Sequence, residues 1–232
     1  LDAGSFGPNL DFAALRAAAR EWDWHEHTPP EDVPARVANA DVVVTNKALM
    51  GEEAFASAPS LRLVCVAATG VNNVDLDAAR RHGVTVCNAT GYGTASVVQH
   101  AAALMLALAT RLEDYHTAAT DGRWSASSHF CLLDFPITEL AGKILGIVGY
   151  GTLGRGVAGV ASALGMQVRI AARPGAVQIP EGRVPLAELL PDTDVLTLHC
   201  PLTEQTRGLI GARELERMKS TAILINTARG GI

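Results

Sequence analysis

The sequence predicts an α/β protein built from parallel sheets with helices on both faces. Short runs rich in valine recur at 41–45, 61–68 and 84–88, and helical patterns separate them. The same alternation starts again at residue 143. Continuous apolar strands that alternate with helices are typical of parallel sheets buried on both faces. The predicted fold class is therefore α/β, with two doubly wound parallel-sheet domains.

Composition limits the classes of protein to which the chain can belong. Its 232 residues suit one large or two modest domains, and 48% hydrophobic with 19% charged residues describes a globular protein with a substantial core. The net charge is −5 and no basic run occurs. Nucleic acid is therefore not expected as a partner.

Neither a membrane segment nor a metal site is indicated. The longest apolar run, residues 101–109, is too short to cross a bilayer, and no signal peptide is visible. The four cysteines, Cys65, Cys87, Cys131 and Cys200, lack metal-binding spacing. All but Cys131 fall in predicted buried strands, so reduced core thiols and a cytoplasmic location are expected.

Both ends of the sequence suggest missing residues. The chain starts at Leu1 rather than Met and stops at Ile232, just after a predicted strand. Further residues are therefore expected on both sides. An intact mass near 24.3 kDa for the purified protein would contradict this expectation.

The first 90 residues contain helical patterns beside the strands. An Ala-rich helix is predicted at 12–22, and a shorter one at 75–82 is closed by Gly83. Ligands of parallel sheets bind beyond the carboxyl ends of the strands, where the loop 69–73 follows the second strand. From its residues alone, a plain Gly/Asn turn is the favoured interpretation of this loop.

A second glycine turn, at 91–94, marks the predicted boundary between a domain of residues 1–94 and one of residues 95–232. The residues at 96–99 fit a capping box that opens an apolar helix through Leu108. A helix that is apolar nearly all round is usually buried, so burial between layers is expected.

Two features after this boundary leave alternatives open. Gln99 and His100 are expected to be buried and hydrogen-bonded, with exposure to a cleft as the alternative. The segment 120–136 is predicted to be irregular, but it is apolar for a loop. It is expected to pack against a partner subunit rather than to face water.

The most specific motif begins with an apolar strand at 143–148. The strand ends in Gly149-x-Gly151-x-x-Gly154, and a helical pattern with one apolar face follows at 151–164. Such glycines make a tight turn, admit a pyrophosphate to the backbone and let the helix pack closely on the strand. A dinucleotide site is preferred to an ordinary glycine-rich turn because a second strand follows at the expected distance.

Strand–helix alternation continues to the end of the chain. Strands are predicted at 167–172, 194–199 and 222–226, and helices at 186–190 and 211–218. With the strand at 143–148, four strands are predicted where a complete doubly wound sheet usually has six. The shortfall is a second indication of missing C-terminal residues.

Ordered motifs along nearly the whole chain resemble the D-isomer-specific 2-hydroxyacid dehydrogenases. They lie in the segments 145–154, 198–203, 225–231, 68–75 and 96–108. In addition, Phe130–Asp134 and Gly165-Met166 are similar to the glycerate dehydrogenase/hydroxypyruvate reductase branch.

The resemblance implies a Rossmann nucleotide domain inserted into a flavodoxin-like substrate domain, with a cleft between the two. It also implies hydride transfer between a nicotinamide and the 2-carbon of a 2-oxo acid, with hydroxypyruvate or glyoxylate suggested by the branch. Family members are usually homodimers. The expected partners are therefore a small 2-oxo acid and a second copy of the chain.

The resemblance further assigns roles to individual residues. Arg229 corresponds to the catalytic arginine, which binds a carboxylate and stabilises charge on the 2-oxygen. The catalytic Glu and His of the family fall beyond Ile232, and backbone N–H groups at Thr69 and Gly70 are expected to bind the substrate carboxylate. The residues expected to contact the cofactor are Gly149, Gly151, Thr152, Leu153, Gly154, Arg173, His199, Cys200, Pro201, Thr206, Thr227 and Ala228.

The end of the second strand of the nucleotide domain bears on the choice of cofactor. NAD-specific sites place an acidic residue there, but this chain has Ala172 followed by Arg173. A guanidinium can bind a 2′-phosphate that an acid would repel. NADP(H) is therefore expected to be accepted and preferred to NAD(H), with a merely solvated Arg173 as the alternative.

A second interpretation of the resemblance is non-catalytic. The same fold serves nicotinamide-responsive corepressors, which also resemble the enzymes around Arg229. The chain shows no extended basic or low-complexity tail, and this favours the enzyme.

Overall fold

The computed structural model describes residues 1–7 and 10–232 and divides into two compact units, Leu1–Tyr92 and Gly93–Ile232. Each unit has its own parallel sheet with helices packed against it. The predicted α/β class is therefore confirmed. The roles predicted for the two domains, in substrate and nucleotide binding, are not decided by the division itself.

The first unit is built on a three-stranded parallel sheet with the order β1–β2–β3. Its strands are β1 (Val42–Thr45), β2 (Leu63–Val66) and β3 (Thr85–Asn88), and its helices are α1 (Ala13–Arg16), α2 (Val33–Val37), α3 (Glu52–Ala56) and α4 (Leu76–Arg81). Phe55 and Met50 fill the core against Val64 of the central strand. Burial of these apolar side chains holds the short elements together.

The helix predicted at 12–22 is wrong in length, because α1 ends at Arg16. No residue of α1 is buried, and the indole of Trp22 donates a hydrogen bond to the Arg16 carbonyl oxygen at 3.0 Å. A helix without a packed face rarely extends on propensity alone. The alanine content of this segment therefore predicted a longer helix than the one observed.

The second unit contains a five-stranded parallel sheet with the order β6–β5–β4–β7–β8. The strands are β4 (Ile144–Val148), β5 (Gln167–Ala171), β6 (Arg183–Val184), β7 (Val195–Leu198) and β8 (Ile223–Asn226). The chain starts at the central strand and winds outward first to one side and then to the other. The winding changes direction between β4 and β7, where ligands of such sheets bind.

Sequence patterns predicted four of these five strands. The strand that was not predicted, β6, has only two residues and pairs with β5 through Ile170 and Arg183. An element this short has no detectable period.

Six helices belong to the second unit. They are α5 (Thr94–Thr110), α6 (Leu112–Thr120), α7 (Arg123–Ala126), α8 (Thr152–Ala163), α9 (Leu186–Leu189) and α10 (Ala212–Arg217). Among the described residues, no single helix is long and apolar enough to cross a bilayer. Only α5 and α6 together pass that test, and they are bent by 64°.

Helix α5 differs from the prediction in its start and its burial. It starts at Thr94 with Gly93 as N-cap, so Ser96 lies inside the helix and the predicted capping box is wrong. Ala101, Met105 and Ala109 are the buried residues of this helix. Because one side alone of α5 packs on the unit, the expected burial of this helix between layers is also wrong.

The segment 120–136 is less irregular than predicted, because it includes the end of α6 and all of α7. Three of its large apolar side chains, Trp124, Phe130 and Leu133, are exposed. Phe130 is 98% exposed.

The cysteines are free thiols, but they are not all in the core. Cys200 is buried, whereas Cys87 is exposed because β3 is an edge strand of its sheet. Cys65 is its register partner on β2, and the two sulfur atoms lie 3.5 Å apart. Burial, and then the neighbouring thiol, raise the pKa of Cys65 to about 11.

Asp194 ties three strands of the second sheet together at their amino ends. Its carboxylate accepts hydrogen bonds from the Ile144 backbone N–H and from Lys219 Nζ, both at 2.8 Å. Its carbonyl oxygen accepts from the Ile223 N–H at 2.9 Å. Burial raises the pKa of the Asp194 carboxyl, but the hydrogen bonds from Ile144 and Lys219 and the charges of Lys219 and Lys143 outweigh burial, so the net pKa is lower than usual.

We expect Asp194→Ala to lower the free energy of unfolding by about 1–3 kcal/mol at neutral pH, because it removes a carboxylate with two hydrogen bonds. The folded-state pKa lies below the unfolded value, so this stabilisation is present above about pH 4 and is lost as pH falls through the folded-state pKa. Urea unfolding at several pH values measures it.

Asp192→Ala is the matched control for this measurement. Asp192 pairs with Arg169 at the surface, where an ion pair contributes about 0–1 kcal/mol. Equal losses for the two variants at neutral pH would contradict the anchoring role of Asp194.

Candidate functional site

Gly149 makes the turn that follows β4. Its φ of +94° is a conformation that residues with a side chain rarely adopt. A Cβ at this position would lie 2.5 Å from the Cys200 nitrogen and 2.6 Å from the His199 carbonyl carbon. The turn after β4 and the loop after β7 therefore pass each other with backbone against backbone.

The other two glycines of the motif have opposite surroundings. A Cβ on Gly154 would lie 2.2 Å from the Gly149 oxygen, so this residue is needed where α8 packs on β4. A Cβ on Gly151 would meet no described atom within 4 Å. Gly151 thus borders open space, as expected where a ligand approaches the backbone.

The amino end of α8 is open to a ligand. Gly151 is the N-cap residue, and no side chain caps the helix. Gly151 and Thr152 are exposed, and Leu153 is half-buried. Free N–H groups and the helix dipole make such an end suitable for an anion. The turn therefore fits the diphosphate of a dinucleotide.

A cavity of about 210 Å³ lies beside this turn. The last residues of β4 and β5, the loop that follows β5, the start of α9 and one leucine after β7 form its walls. These residues are Val148, Ala171, Ala172, Arg173, Pro174, Gly175, Ala176, Ile179, Pro185, Leu186 and Leu209. Apolar walls next to a phosphate-binding turn fit the adenosine half of a dinucleotide. Sequence reasoning predicted Arg173 alone among these residues.

Among the described residues that line this cavity, Arg173 is the charged one. Its side chain is exposed and makes no hydrogen bond or ion pair with the described residues. No acidic side chain of the described chain lines the same cavity. The wall therefore favours the binding of a negatively charged group.

His199 connects the ends of β7 and β8. One ring nitrogen lies 2.9 Å from the Thr197 hydroxyl and the other 3.4 Å from the Thr227 hydroxyl. Burial lowers the pKa of His199, which favours the neutral ring at physiological pH. A neutral imidazole between two hydroxyls is suited to holding loops together.

The rest of the loop after β7 is shaped by Thr206. Its hydroxyl donates to the Pro201 carbonyl oxygen at 2.6 Å and accepts from the Thr203 N–H at 2.7 Å. Cys200 and Thr206 are both buried. The predicted cofactor contacts of Cys200, Pro201 and Thr206 stay predictions, since the Thr206 hydroxyl serves its own loop.

Arg229 lies in the loop after β8, with Thr227 and Ala228 half-buried before it. Its side chain is exposed, and its Nη1 donates to the Ala228 carbonyl oxygen at 2.8 Å. No carboxylate among the described residues lies within ion-pair distance of it. The guanidinium can therefore bind an external anion.

A second cavity, of about 350 Å³, separates α5 from this loop. It is lined by Ser96, Val97, His100 and Leu104 of α5 and by Asn226 and Thr227. Gln99 and His100 are exposed, so their expected burial is wrong; the core side of α5 carries Ala101 and Met105 instead. Helical spacing from Ser96 to Leu104 was the available signal for this cavity.

The predicted substrate loop lies in the first unit. Thr69 is exposed and Gly70 is half-buried. The side-chain amide of Asn88, the last residue of β3, donates to the Thr69 carbonyl oxygen at 2.7 Å. The loop is thus fixed from the neighbouring strand, while its contact with a carboxylate stays a prediction.

No group of three or more His, Cys, Asp or Glu residues that could hold a metal ion occurs in residues 1–7 and 10–232.

Comparisons with known proteins are consistent with these features. Residues 102–232 match the profile of the D-isomer specific 2-hydroxyacid dehydrogenase, NAD binding domain. The chain is 41% identical over 230 residues to a glycerate dehydrogenase of Methylorubrum extorquens, covering 96% of this chain and 72% of that protein. A hydroxypyruvate reductase of Blautia hydrogenotrophica is 38% identical over 236 residues, with coverage of 99% and 73%.

A solved structure gives the same result. The D-lactate dehydrogenase of Aquifex aeolicus, complexed with NAD and lactic acid, superposes with a TM-score of 0.73 and 29% identity. The match covers 85% of this chain and 59% of that one. The chain thus spans roughly two thirds of the length of the proteins that it matches.

We expect Gly151→Ala and Gly154→Ala to fail in different ways. Gly154→Ala forces a methyl group against the Gly149 oxygen and should lower the melting temperature by several degrees, for a cost of about 1–3 kcal/mol. Gly151→Ala should leave the melting temperature nearly unchanged but weaken nicotinamide dinucleotide binding by about tenfold or more, because the methyl group enters the diphosphate space.

Thermal unfolding and calorimetric titration with NADH and NADPH measure the two effects. Gly159→Ala is the control, since a Cβ there also meets no described atom and the position lies in the last half of α8. Cofactor binding by Gly151→Ala at the unmodified affinity would place the ligand elsewhere.

Proposed function

Because the chain belongs to the D-isomer specific 2-hydroxyacid dehydrogenase family, we propose that it reduces a small 2-oxo acid to the D-2-hydroxy acid with a nicotinamide cofactor. The preferred substrates are of the hydroxypyruvate or glyoxylate type, as the names of its relatives suggest. The free cysteines agree with a reducing, cytoplasmic environment.

One observation carries the proposal. An uncapped helix end, bordered by Gly151, and an unpaired guanidinium, Arg229, lie at the same edge of one parallel sheet. The first suits a diphosphate and the second suits a carboxylate. A bound nicotinamide would supply the hydride.

The residues of this chain act on the acid by binding and by charge. Arg229 holds the carboxylate and stabilises the negative charge that develops on the 2-oxygen. His199 is half-buried between two threonine hydroxyls, so we assign it to the ribose side of the cofactor and not to proton transfer. The acid–base pair of Glu and His is proposed from the family to follow Ile232.

A homodimer completes the proposal. The exposed apolar side chains at 124–137, with Phe130 and Leu133 the most exposed of them, would be covered by a second copy.

We expect the protein at its full natural length to oxidise NAD(P)H with hydroxypyruvate or glyoxylate, followed at 340 nm. Arg229→Gln should lower kcat/KM by about 10²–10³-fold, because a charged donor to the developing oxyanion is lost. Arg213→Gln, an exposed arginine of α10, is the control and should change nothing. Tight cofactor binding without turnover of any 2-oxo acid would favour a corepressor.

We further propose that NADP(H) is preferred to NAD(H). Arg173 gives the cavity wall a positive charge, and no acidic residue of the described chain lines the same cavity. Both features support the preference for NADP(H). Arg173→Ala should lower the NADPH to NADH ratio of kcat/KM by about tenfold or more, since a charge-assisted hydrogen bond contributes about 1.5–3 kcal/mol. Arg213→Ala should leave the ratio unchanged.

An equal ratio for the wild-type protein and Arg173→Ala would show that Arg173 is only solvated. Steady-state kinetics with both cofactors at saturating substrate provide the measurement.

A further inference from the structure

Asn226 is placed at the end of β8, where its side chain contacts the loop that follows. It is the last residue of the strand and the register partner of Leu198. Its Oδ1 accepts a hydrogen bond from the Ala228 N–H at 3.0 Å, and its Nδ2 donates to the Arg229 carbonyl oxygen at 2.9 Å. One side-chain amide therefore binds the backbone at two places, the N–H of Ala228 and the carbonyl oxygen of Arg229.

Few other hydrogen bonds hold this loop, and its apolar contact to the core is made by Ala228. Apart from the pairing of β8 with β7, residues 227–230 form no backbone–backbone hydrogen bond with the described residues. Beyond Asn226, the side-chain contact to the loop from outside is the long one between the Thr227 hydroxyl and His199. The backbone of Arg229 is thus held chiefly by the Asn226 amide, while its guanidinium remains exposed.

We propose that Asn226 is a positioning residue that holds the Arg229 backbone so that the guanidinium is presented to the carboxylate of the substrate. The inference rests on the proposed function, because it gives Arg229 a substrate to bind. Small displacements of a binding group cost much of its effect on rate.

The chemistry requires an amide at position 226. Aspartate keeps the acceptor for Ala228 but sets a second oxygen against the Arg229 carbonyl oxygen. Serine can accept from the Ala228 N–H but is too short to reach Arg229 as well. Alanine loses both bonds. The expected order of activity is therefore Asn, then Ser, then Ala and Asp.

The first measurement does not depend on activity. Amide hydrogen exchange by NMR should show that Asn226→Ala accelerates exchange of the Ala228 N–H by about tenfold or more, because its acceptor is gone. The Ile147 and Leu196 amides of the central strands should keep their protection. Unchanged exchange at Ala228 would overturn the proposal. Asn39→Ala, at an exposed asparagine without a side-chain hydrogen bond to described residues, is the control.

The second measurement is a double-mutant cycle at saturating cofactor, with the protein at its full natural length. Asn226→Ala alone should lower kcat/KM for hydroxypyruvate by about tenfold, the equivalent of two modest hydrogen bonds. In the Arg229→Gln background, the same change should cost less than about twofold, because its effect passes through Arg229.

The outcomes separate the two proposals. Equal losses in both backgrounds, in an active protein, would overturn the role of Asn226 and leave the proposed function intact. A wild-type protein that reduces no 2-oxo acid would overturn the proposed function, and the catalytic part of this inference with it. The exchange of Ala228 would still show whether Asn226 holds the loop.

Discussion

The contact between two backbone segments, after β4 and after β7, is the constraint on which the second unit depends. Gly149 takes a positive φ and lies against His199 and Cys200, with no side chain between the segments. Gly154 brings α8 against the same turn. Because both contacts use bare backbone, the amino end of α8 stays uncovered and has space for a ligand.

Much of this arrangement could be predicted from the sequence. Strands buried on both faces are continuous apolar runs, so β4 and β7 were found to within a residue or two. The glycine spacing identified the turn, and the structure gives steric reasons for Gly149 and Gly154. The loop that carries Arg229 was recognised through resemblance, and the structure adds that its guanidinium has no described anionic partner.

The remainder depended on tertiary packing that no local pattern reports. The alanines after Arg16 have helical propensity but nothing to pack on, and α1 stops there. Gln99 and His100 lie on an exposed side of α5, which the high overall content of apolar residues in this helix did not reveal. The cavity beside β5 takes Leu186 and Leu209 from distant parts of the chain, so their shared position appears only after folding. Asn226 was overlooked because its role lies in two backbone contacts.

The glycine turn after β4 and the segment after β5 differ in the substitutions that they can accept. A Cβ at Gly149 or Gly154 would clash with neighbouring backbone, so neither position accepts a side chain without a shift of the backbone. The segment after β5 borders a cavity and carries the exposed side chain of Arg173. If the proposed cofactor preference holds, the charge at position 173 can change without disturbing the backbone contacts that shape the turn.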